Sequence, residues 1–253
     1  MIHLMETTLK DIPVLHIVNA QDYDKVLPTV IYYHGYNGEK ESSLTLAYKI
    51  VEKGYRVILP DCMYHGSRSK GMSNTEFDLA FWDVVMQSIE ELADLSDALV
   101  EKGYSTKDRI GIGGTSMGGI ISYGALVRYD WIKTAAVLMG TPYMTDYAKA
   151  LIKEFNKVNE HQVTKEVEHD VMESLSSYDL SLHPNALNNR PLFIWHGEED
   201  KVVPYKYSPS FYESIKEYYD SLENIQFSSE NGRAHHVSKR SMNEAAAWFE
   251  KHL

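Results

Sequence analysis

A single cysteine, Cys62, is the chain's whole supply of thiols, so no disulfide can close within it and a reducing compartment suits it. Basic clusters are missing as well. Lys and Arg total 25 against 36 Asp and Glu, the net charge is −11, and no basic run exceeds a residue or two. That balance argues against nucleic acid and anionic membrane as partners. No apolar stretch approaches membrane-spanning length. The opening Met1-Ile2-His3-Leu4-Met5-Glu6 lacks the basic segment and apolar core of a signal peptide. Internal repeats and low-complexity tracts are absent too. The expectation is a soluble cytoplasmic protein.

What is present fits a globular α/β domain. Of the 253 residues, 43% are apolar and 24% charged. A chain this long buries roughly three quarters of its unfolded surface and needs no covalent staples. The segments His3–Leu9 and Pro13–Asn19 read as a hairpin turning at Lys10-Asp11. Apolar strands then alternate with helices. Strands are expected at Thr29–His34, Tyr55–Pro60, Arg109–Gly113, Thr134–Met139, Pro191–Trp195 and Ile225–Ser228. Helices are expected at Ser42–Lys53, closed by Gly54, at Phe77–Glu101, stopped by Gly103, and at Met117–Tyr129, Pro209–Tyr219 and Ser238–His252. Continuous apolar strands alternating with helices predict a mostly parallel sheet covered on both faces. One stretch, residues 141–190, is more polar, carries helical patterns at Tyr147–Val158 and Val163–Leu175, and has no convincing strand. At about fifty residues it exceeds an ordinary connection and reads as a helical cap inserted into a single domain.

The most informative residue is Ser116, at the centre of Gly114-Thr115-Ser116-Met117-Gly118. A short Gly-punctuated strand precedes it and a helical pattern follows. A serine between glycines at a strand-to-helix junction is a nucleophile elbow, a turn too tight for flanking side chains. Serine is a poor nucleophile at neutral pH, so it needs a base, and the base needs an orienting acid. In this topology both follow on loops after later strands, in the order Ser, acid, His. The loop after Pro191–Trp195 reads His196-Gly197-Glu198-Glu199-Asp200-Lys201-Val202-Val203-Pro204 and offers Asp200; Glu198 and Glu199 read as a solvated acidic run. The loop after Ile225–Ser228 carries His235 and His236, of which only one can face Ser116. His235 is favoured and His236 stays open; His196 reads as a structural residue holding the Asp200 loop.

Acyl transfer also needs donors for the oxyanion, each worth roughly 3–4 kcal/mol. One is the backbone N–H of Met117. The other is expected from His34-Gly35-Tyr36-Asn37-Gly38, with the Tyr36 N–H as donor and His34 a core-loop residue. A further loop, Pro60-Asp61-Cys62-Met63-Tyr64-His65-Gly66-Ser67-Arg68, reads as a polar loop held by Asp61 and His65. Cys62 and His65 alone are too few for a metal site, and Gly111-x-Gly113-Gly114 lacks the phase of a dinucleotide or phosphate loop. The expectation is therefore no metal and no cofactor. Among the 18 tyrosines, Tyr36, Tyr64, Tyr143 and Tyr147 are candidates for the site walls, Tyr143 the one singled out for substrate binding.

Taken in order, His34-Gly35, Pro60-Asp61 with His65-Gly66-Ser67, Gly114-Thr115-Ser116-Met117-Gly118, His196-Gly197-x-x-Asp200-x-x-Val203-Pro204 and Gly232-x-x-His235 resemble the α/β-hydrolase superfamily. The likeness is to small bacterial esterases of the prolyl-oligopeptidase-like and dienelactone-hydrolase-like branch, and runs from His34 to the C-terminus. It implies a mixed eight-stranded sheet, Ser116 as nucleophile, Asp200 as acid, His235 as base, and the Tyr36 and Met117 amides as oxyanion donors. The sequence departs from it in pairing His235 with His236 and in having no N-terminal propeller, which weighs against a peptidase. The function implied is a serine carboxylesterase acting on a small-molecule ester. A peptidase, thioesterase or deacetylase on the same triad is the alternative, and a non-catalytic binding protein the third reading. Oligomeric state is not legible in the sequence.

Overall fold

The computed structural model describes residues 1–159 and 162–253. Its strands are β1 (Ile2–Leu9), β2 (Ile12–Asn19), β3 (Thr29–Tyr33), β4 (Arg56–Pro60), β5 (Ile110–Thr115), β6 (Ala135–Leu138), β7 (Leu192–Gly197) and β8 (Ile225–Glu230). They form one eight-stranded sheet in the order β1-β2-β4-β3-β5-β6-β7-β8. The hairpin β1–β2 is antiparallel, as is β2 against β4, and the rest of the sheet is parallel. This is the mixed sheet of an α/β-hydrolase fold. The hairpin turns at Lys10 and Asp11, both with positive φ.

The helices are α1 (Leu44–Val51), α2 (Asn74–Leu79), α3 (Phe81–Glu101), α4 (Met117–Arg128), α5 (Met144–Val158), α6 (Lys165–Ser176), α7 (Tyr207–Ile215) and α8 (Lys239–His252). Strand alternation divides the core in two. In β3, Ile31 and Tyr33 pack in the cluster that contains Leu92 of α3 and Ile120 of α4, whereas Val30 and Tyr32 join Leu46 of α1 and Phe249 of α8. Helix α4 is almost wholly buried. Its C-terminal carbonyls of Leu126 and Tyr129 accept from the buried Arg190 guanidinium, a cation at the negative end of the helix dipole.

Three expected helices differ in detail. The periodic stretch Phe77–Glu101 is two helices, because α2 starts earlier on a Ser73–Glu76 capping box and ends at Ala80. That break lets Phe77 stack on Tyr36, with ring centroids 4.7 Å apart, rather than join the α3 stripe. The Ser42–Lys53 helix opens as a 3-10 turn at Lys40–Ser43. The last-but-one helix begins at Tyr207, with Pro209 in its first turn where no N–H is needed, and tightens to 3-10 at Lys216–Tyr218.

Between β6 and β7 the described residues hold α5 and α6 and no strand; residues 160–161 lie outside them. Buried Asp179 ties the start of α5 to the chain just beyond α6. Its Oδ2 accepts from the Thr145 N–H and hydroxyl (both 2.8 Å), and its Oδ1 accepts from the Ser181 N–H (3.0 Å) and hydroxyl (2.5 Å). Asp179 thus supplies the α5 cap that Tyr143, at the N-cap position, does not.

Candidate active site

In the sheet order, β4 and β5 flank β3 on opposite sides, so the connections leave β3 and β5 in opposite directions. A crevice opens at the C-terminal ends of such strands. The turn out of β5 places Ser116 at φ 56°, ψ −114°, a left-handed conformation that only an enforced turn imposes on serine. The enforcement is steric. A side chain at Gly114 would overlap the Gly118 backbone, and one at Gly118 would overlap the Tyr33 carbonyl. The Ser116 N–H donates to the Leu138 carbonyl (2.9 Å), and the Tyr32 hydroxyl lies 2.7 Å from Thr115 Oγ1.

The loops after β7 and β8 bring the other two side chains in. They are tied by backbone bonds from the Glu198 N–H to the Glu230 carbonyl (3.1 Å) and from the Glu199 N–H to the Arg233 carbonyl (2.9 Å). Only glycine fits at position 197, where a side chain would overlap the Arg233 carbonyl. His235 Nε2 then stands 2.8 Å from Ser116 Oγ, and His235 Nδ1 stands 2.6 Å from Asp200 Oδ2. With the ring proton on Nδ1 facing the carboxylate, Nε2 is free to take the serine proton. His236 is exposed and accepts from the Arg233 guanidinium (2.7 Å) instead. Of the adjacent pair, His235 is therefore the one facing the serine.

Asp200 is buried. Its Oδ1 accepts from the Val202 (2.9 Å) and Val203 (3.1 Å) N–H groups, and its Oδ2 lies 3.1 Å from His196 Nε2. Burial alone would raise its pKa, but the bonds from His196 and His235 outweigh this and hold the carboxyl well below the usual carboxylate range. His196 Nε2 also faces the Val203 carbonyl (3.0 Å), so its proton sits on Nε2 and Nδ1 accepts from the Ser208 hydroxyl (2.7 Å). It braces the Asp200 loop.

Met117 opens α4, so its N–H has no partner within the helix. The loop after β3 passes close to the serine: a Cβ built on Gly35 would stand 3.6 Å from Ser116 Cβ, and Tyr36 is the next residue along. The polar loop after β4 is organised as its sequence suggests. Asp61 Oδ1 accepts from the Lys40 N–H (2.9 Å), and Oδ2 accepts from Lys40 Nζ (3.0 Å) and the Ser67 N–H (2.9 Å). Among the described residues no group of His, Cys, Asp and Glu gathers as a metal site. Burial pushes the Cys62 thiol up to about 12.

Rings continue from Tyr36 to the loop that carries Asp200. Tyr36 packs on Phe81, Phe81 on Trp82 and Trp82 on Tyr147, with centroids 5.4, 4.9 and 6.2 Å apart. The Tyr147 hydroxyl donates to the Val202 carbonyl (3.1 Å). Tyr143 is half-buried against Tyr207 and Phe211, farther along the same side.

A serine held in a strained elbow, a histidine between it and a buried carboxylate, and an α/β-hydrolase sheet define the serine hydrolase class. The chain belongs to the prolyl oligopeptidase family, whose profile matches residues 42–253. It is 39% identical over 255 residues to YitV of Bacillus subtilis (strain 168), which is named provisionally as an esterase, with both chains covered in full. It is 31% identical over 254 residues to the esterase YjfP of Escherichia coli (strain K12), again with full coverage of both. Among solved structures it is similar to TT1662 from Thermus thermophilus, with a TM-score of 0.79, 19% identity, and 99% and 98% of the two chains covered. No helix among the described residues is long and apolar enough to cross a membrane.

Proposed function

We propose that Ser116, His235 and Asp200 are nucleophile, base and acid of a carboxylesterase that cleaves small acyl esters, with the Tyr36 and Met117 amides as oxyanion donors. The chain is a serine hydrolase acting on ester bonds, as the esterase names of two full-length relatives support. The observation that carries the residue assignment is the position of His235, within hydrogen-bond reach of both Ser116 Oγ and Asp200 Oδ2. Ser116 attacks the ester carbonyl while its proton passes to His235 Nε2, and Asp200 stabilises the imidazolium. The imidazolium returns that proton to the departing alkoxide, which leaves as the alcohol. Water, deprotonated by His235, then attacks the acyl-enzyme, and the serine departs with its proton restored. No metal or cofactor takes part in this scheme.

The segment between β6 and β7 acts as a cap beside the crevice, and its Tyr143 is the candidate contact for the acyl group. A cytoplasmic setting fits the lone, buried Cys62 and the charge of −11. Hydrolysis of p-nitrophenyl acetate, butyrate and octanoate by wild type, Ser116→Ala, His235→Ala and His236→Ala tests the reading. Removing the serine should lower kcat by roughly 10⁴–10⁶. His235→Ala should lower it similarly and His236→Ala should leave it close to wild type. Equal activity of Ser116→Ala and wild type would overturn the assignment.

A further inference from the structure

His235 stands on a loop with little buried surface of its own. From Asn231 to Val237 every residue is exposed or half-buried, so apolar packing gives most of this stretch little grip. Glu230, the last residue of β8, closes on it from both sides of the histidine. Its Oε1 accepts from Arg233 Nε (3.1 Å) and Nη2 (2.9 Å), and its Oε2 accepts from the Ser238 hydroxyl (2.6 Å). Arg233 lies two residues before His235 and Ser238 three after it. The turn between Glu230 and Arg233 passes through Gly232 at φ 71°, a left-handed conformation that glycine takes freely. The Ser238 hydroxyl, and after it the Arg233 guanidinium, lower the Glu230 pKa and keep the carboxylate ionised. With its side chain 19% exposed, the carboxylate is screened less than one in an open surface pair.

We infer that Glu230 is a positioning residue for His235, clamping through Arg233 and Ser238 the loop that sets this imidazole between Ser116 and Asp200. The inference rests on His235 being the base. The same ion pair reaches the acid, because the Glu230 and Arg233 carbonyls accept from the Glu198 and Glu199 N–H groups of the Asp200 loop. It therefore fastens the base loop both to itself and to the loop of its partner. Ser238 carries the clamp into α8, since its hydroxyl also accepts from the Ser241 N–H (3.0 Å) at the helix start. The tolerance is small. His235 Nε2 is 2.8 Å from Ser116 Oγ and Nδ1 is 2.6 Å from Asp200 Oδ2, so a shift of about 1 Å breaks one contact or the other. An untied loop would hold this geometry only part of the time, and the serine would keep its proton during the rest. His236 accepts only from the outer Arg233 nitrogen, Nη1 (2.7 Å), so the clamp does not depend on it.

Three substitutions test the clamp. Glu230→Gln keeps an oxygen for Arg233 and turns an N–H toward the Ser238 hydroxyl, which can accept it. Glu230→Ala removes both contacts, and Arg233→Met removes one while keeping a long side chain. Steady-state kinetics on p-nitrophenyl butyrate, well below each Tm, would be measured for all three. Glu230→Ala should lower kcat about tenfold to a hundredfold, the cost of a misplaced reacting group. Its KM should stay within about twofold, since the base acts in the transition state rather than in binding. Arg233→Met should fall between Glu230→Ala and wild type, and Glu230→Gln should stay within about threefold of wild type. Wild-type kcat in Glu230→Ala, equal damage in Glu230→Gln and Glu230→Ala, or a change confined to KM and Tm would overturn the inference. If Glu230→Ala does not fold, Arg233→Met decides alone, and a wild-type kcat there overturns it. His235→Ala, assayed alongside, keeps the two readings apart: activity in that variant removes His235 as the base, whereas its inactivity beside a fully active Glu230→Ala removes the clamp only.

Discussion

His196 and His235 converge on one oxygen of one carboxylate: Asp200 Oδ2 lies 3.1 Å from His196 Nε2 and 2.6 Å from His235 Nδ1. Both imidazoles donate, and two backbone amides donate to the other oxygen. The carboxylate is therefore fixed in position and in charge before any substrate arrives. Asp200→Asn would present an amide N–H to one of these donors and disturb the tautomer of His235. A loss of about 10⁴ in kcat is expected. His196→Phe leaves the Asp200–His235 pair intact but loosens it, and should cost roughly tenfold to a hundredfold. Stopped-flow or steady-state assays with p-nitrophenyl butyrate decide this; an Asp200→Asn enzyme within tenfold of wild type would remove Asp200 from the triad.

The elbow makes a steric prediction. Gly114 and Gly118 face backbone rather than movable side chains, so an added methyl group can be relieved only by shifting β5 against α4 or β3. Gly118→Ala should lower kcat by at least about 10²-fold, because a displacement near 1 Å at the nucleophile is that costly. Gly111→Ala is the control in the same strand. Its Cβ would stand 3.1–3.2 Å from side-chain atoms of Leu253, Phe249 and Thr134, far from the serine, so any effect should fall on Tm and leave kcat intact. Comparable kcat for Gly118→Ala and Gly111→Ala would contradict the elbow argument.

Stability should depend on acid through a group remote from the crevice. Arg56 is completely buried, with its guanidinium donating to the Lys25, Asp22, Tyr23 and Tyr104 carbonyls and its Nε donating to His16 Nε2 (2.8 Å). Burial and the neighbouring guanidinium lower the His16 pKa from 6.5 to about 4. The folded protein therefore binds fewer protons here than the unfolded chain between those values. The contribution of His16 is complete above pH 6.5 and declines as pH falls toward 4, by up to about 3 kcal/mol. Urea unfolding at pH 7.5 and pH 4.5 should show this decline in wild type and a shallower one in His16→Gln. Parallel slopes in the two proteins would refute the linkage.

The proposed grouping of Ser116, Asp200 and His235 could be read from the chain because each residue carries a local signal. Ser116 announces itself by glycines two residues to either side, Asp200 follows the apolar run Leu192–Trp195, and His235 stands on a Gly-containing loop directly before the last helix. The sheet was legible for the same reason. What escaped were relations between distant segments. The period of Phe77, Phe81, Val84 and Val85 runs unbroken across Ala80, and only the stacking of Phe77 on Tyr36 explains why the helix divides there. His34 reads as a core-loop residue, but its partner at Cys62 is a backbone amide, which carries no side-chain signature. Arg190 carries no signal in the sequence, yet it ends α4 from a site 61 and 64 residues away along the chain.

Asp179 lies among these distant relations and carries a further prediction. It joins Thr145, at the start of α5, to Ser181, beyond α6, and two residues further along α5 Tyr147 donates to the Val202 carbonyl beside Asp200. Asp179→Ala leaves the Thr145 and Ser181 amides without their acceptor, at a cost of about 1–3 kcal/mol for each that stays buried. Because the start of α5 is fastened here to the chain just beyond α6, the loss should be felt locally, as faster amide exchange in α5 and α6 than in β5 or α4. Tyr147 should then hold the acid loop less firmly, raising KM for p-nitrophenyl butyrate several-fold while kcat changes less. Uniformly faster exchange across the sheet, with KM unaltered, would make Asp179 a contributor to global stability alone and detach the β6–β7 segment from substrate binding.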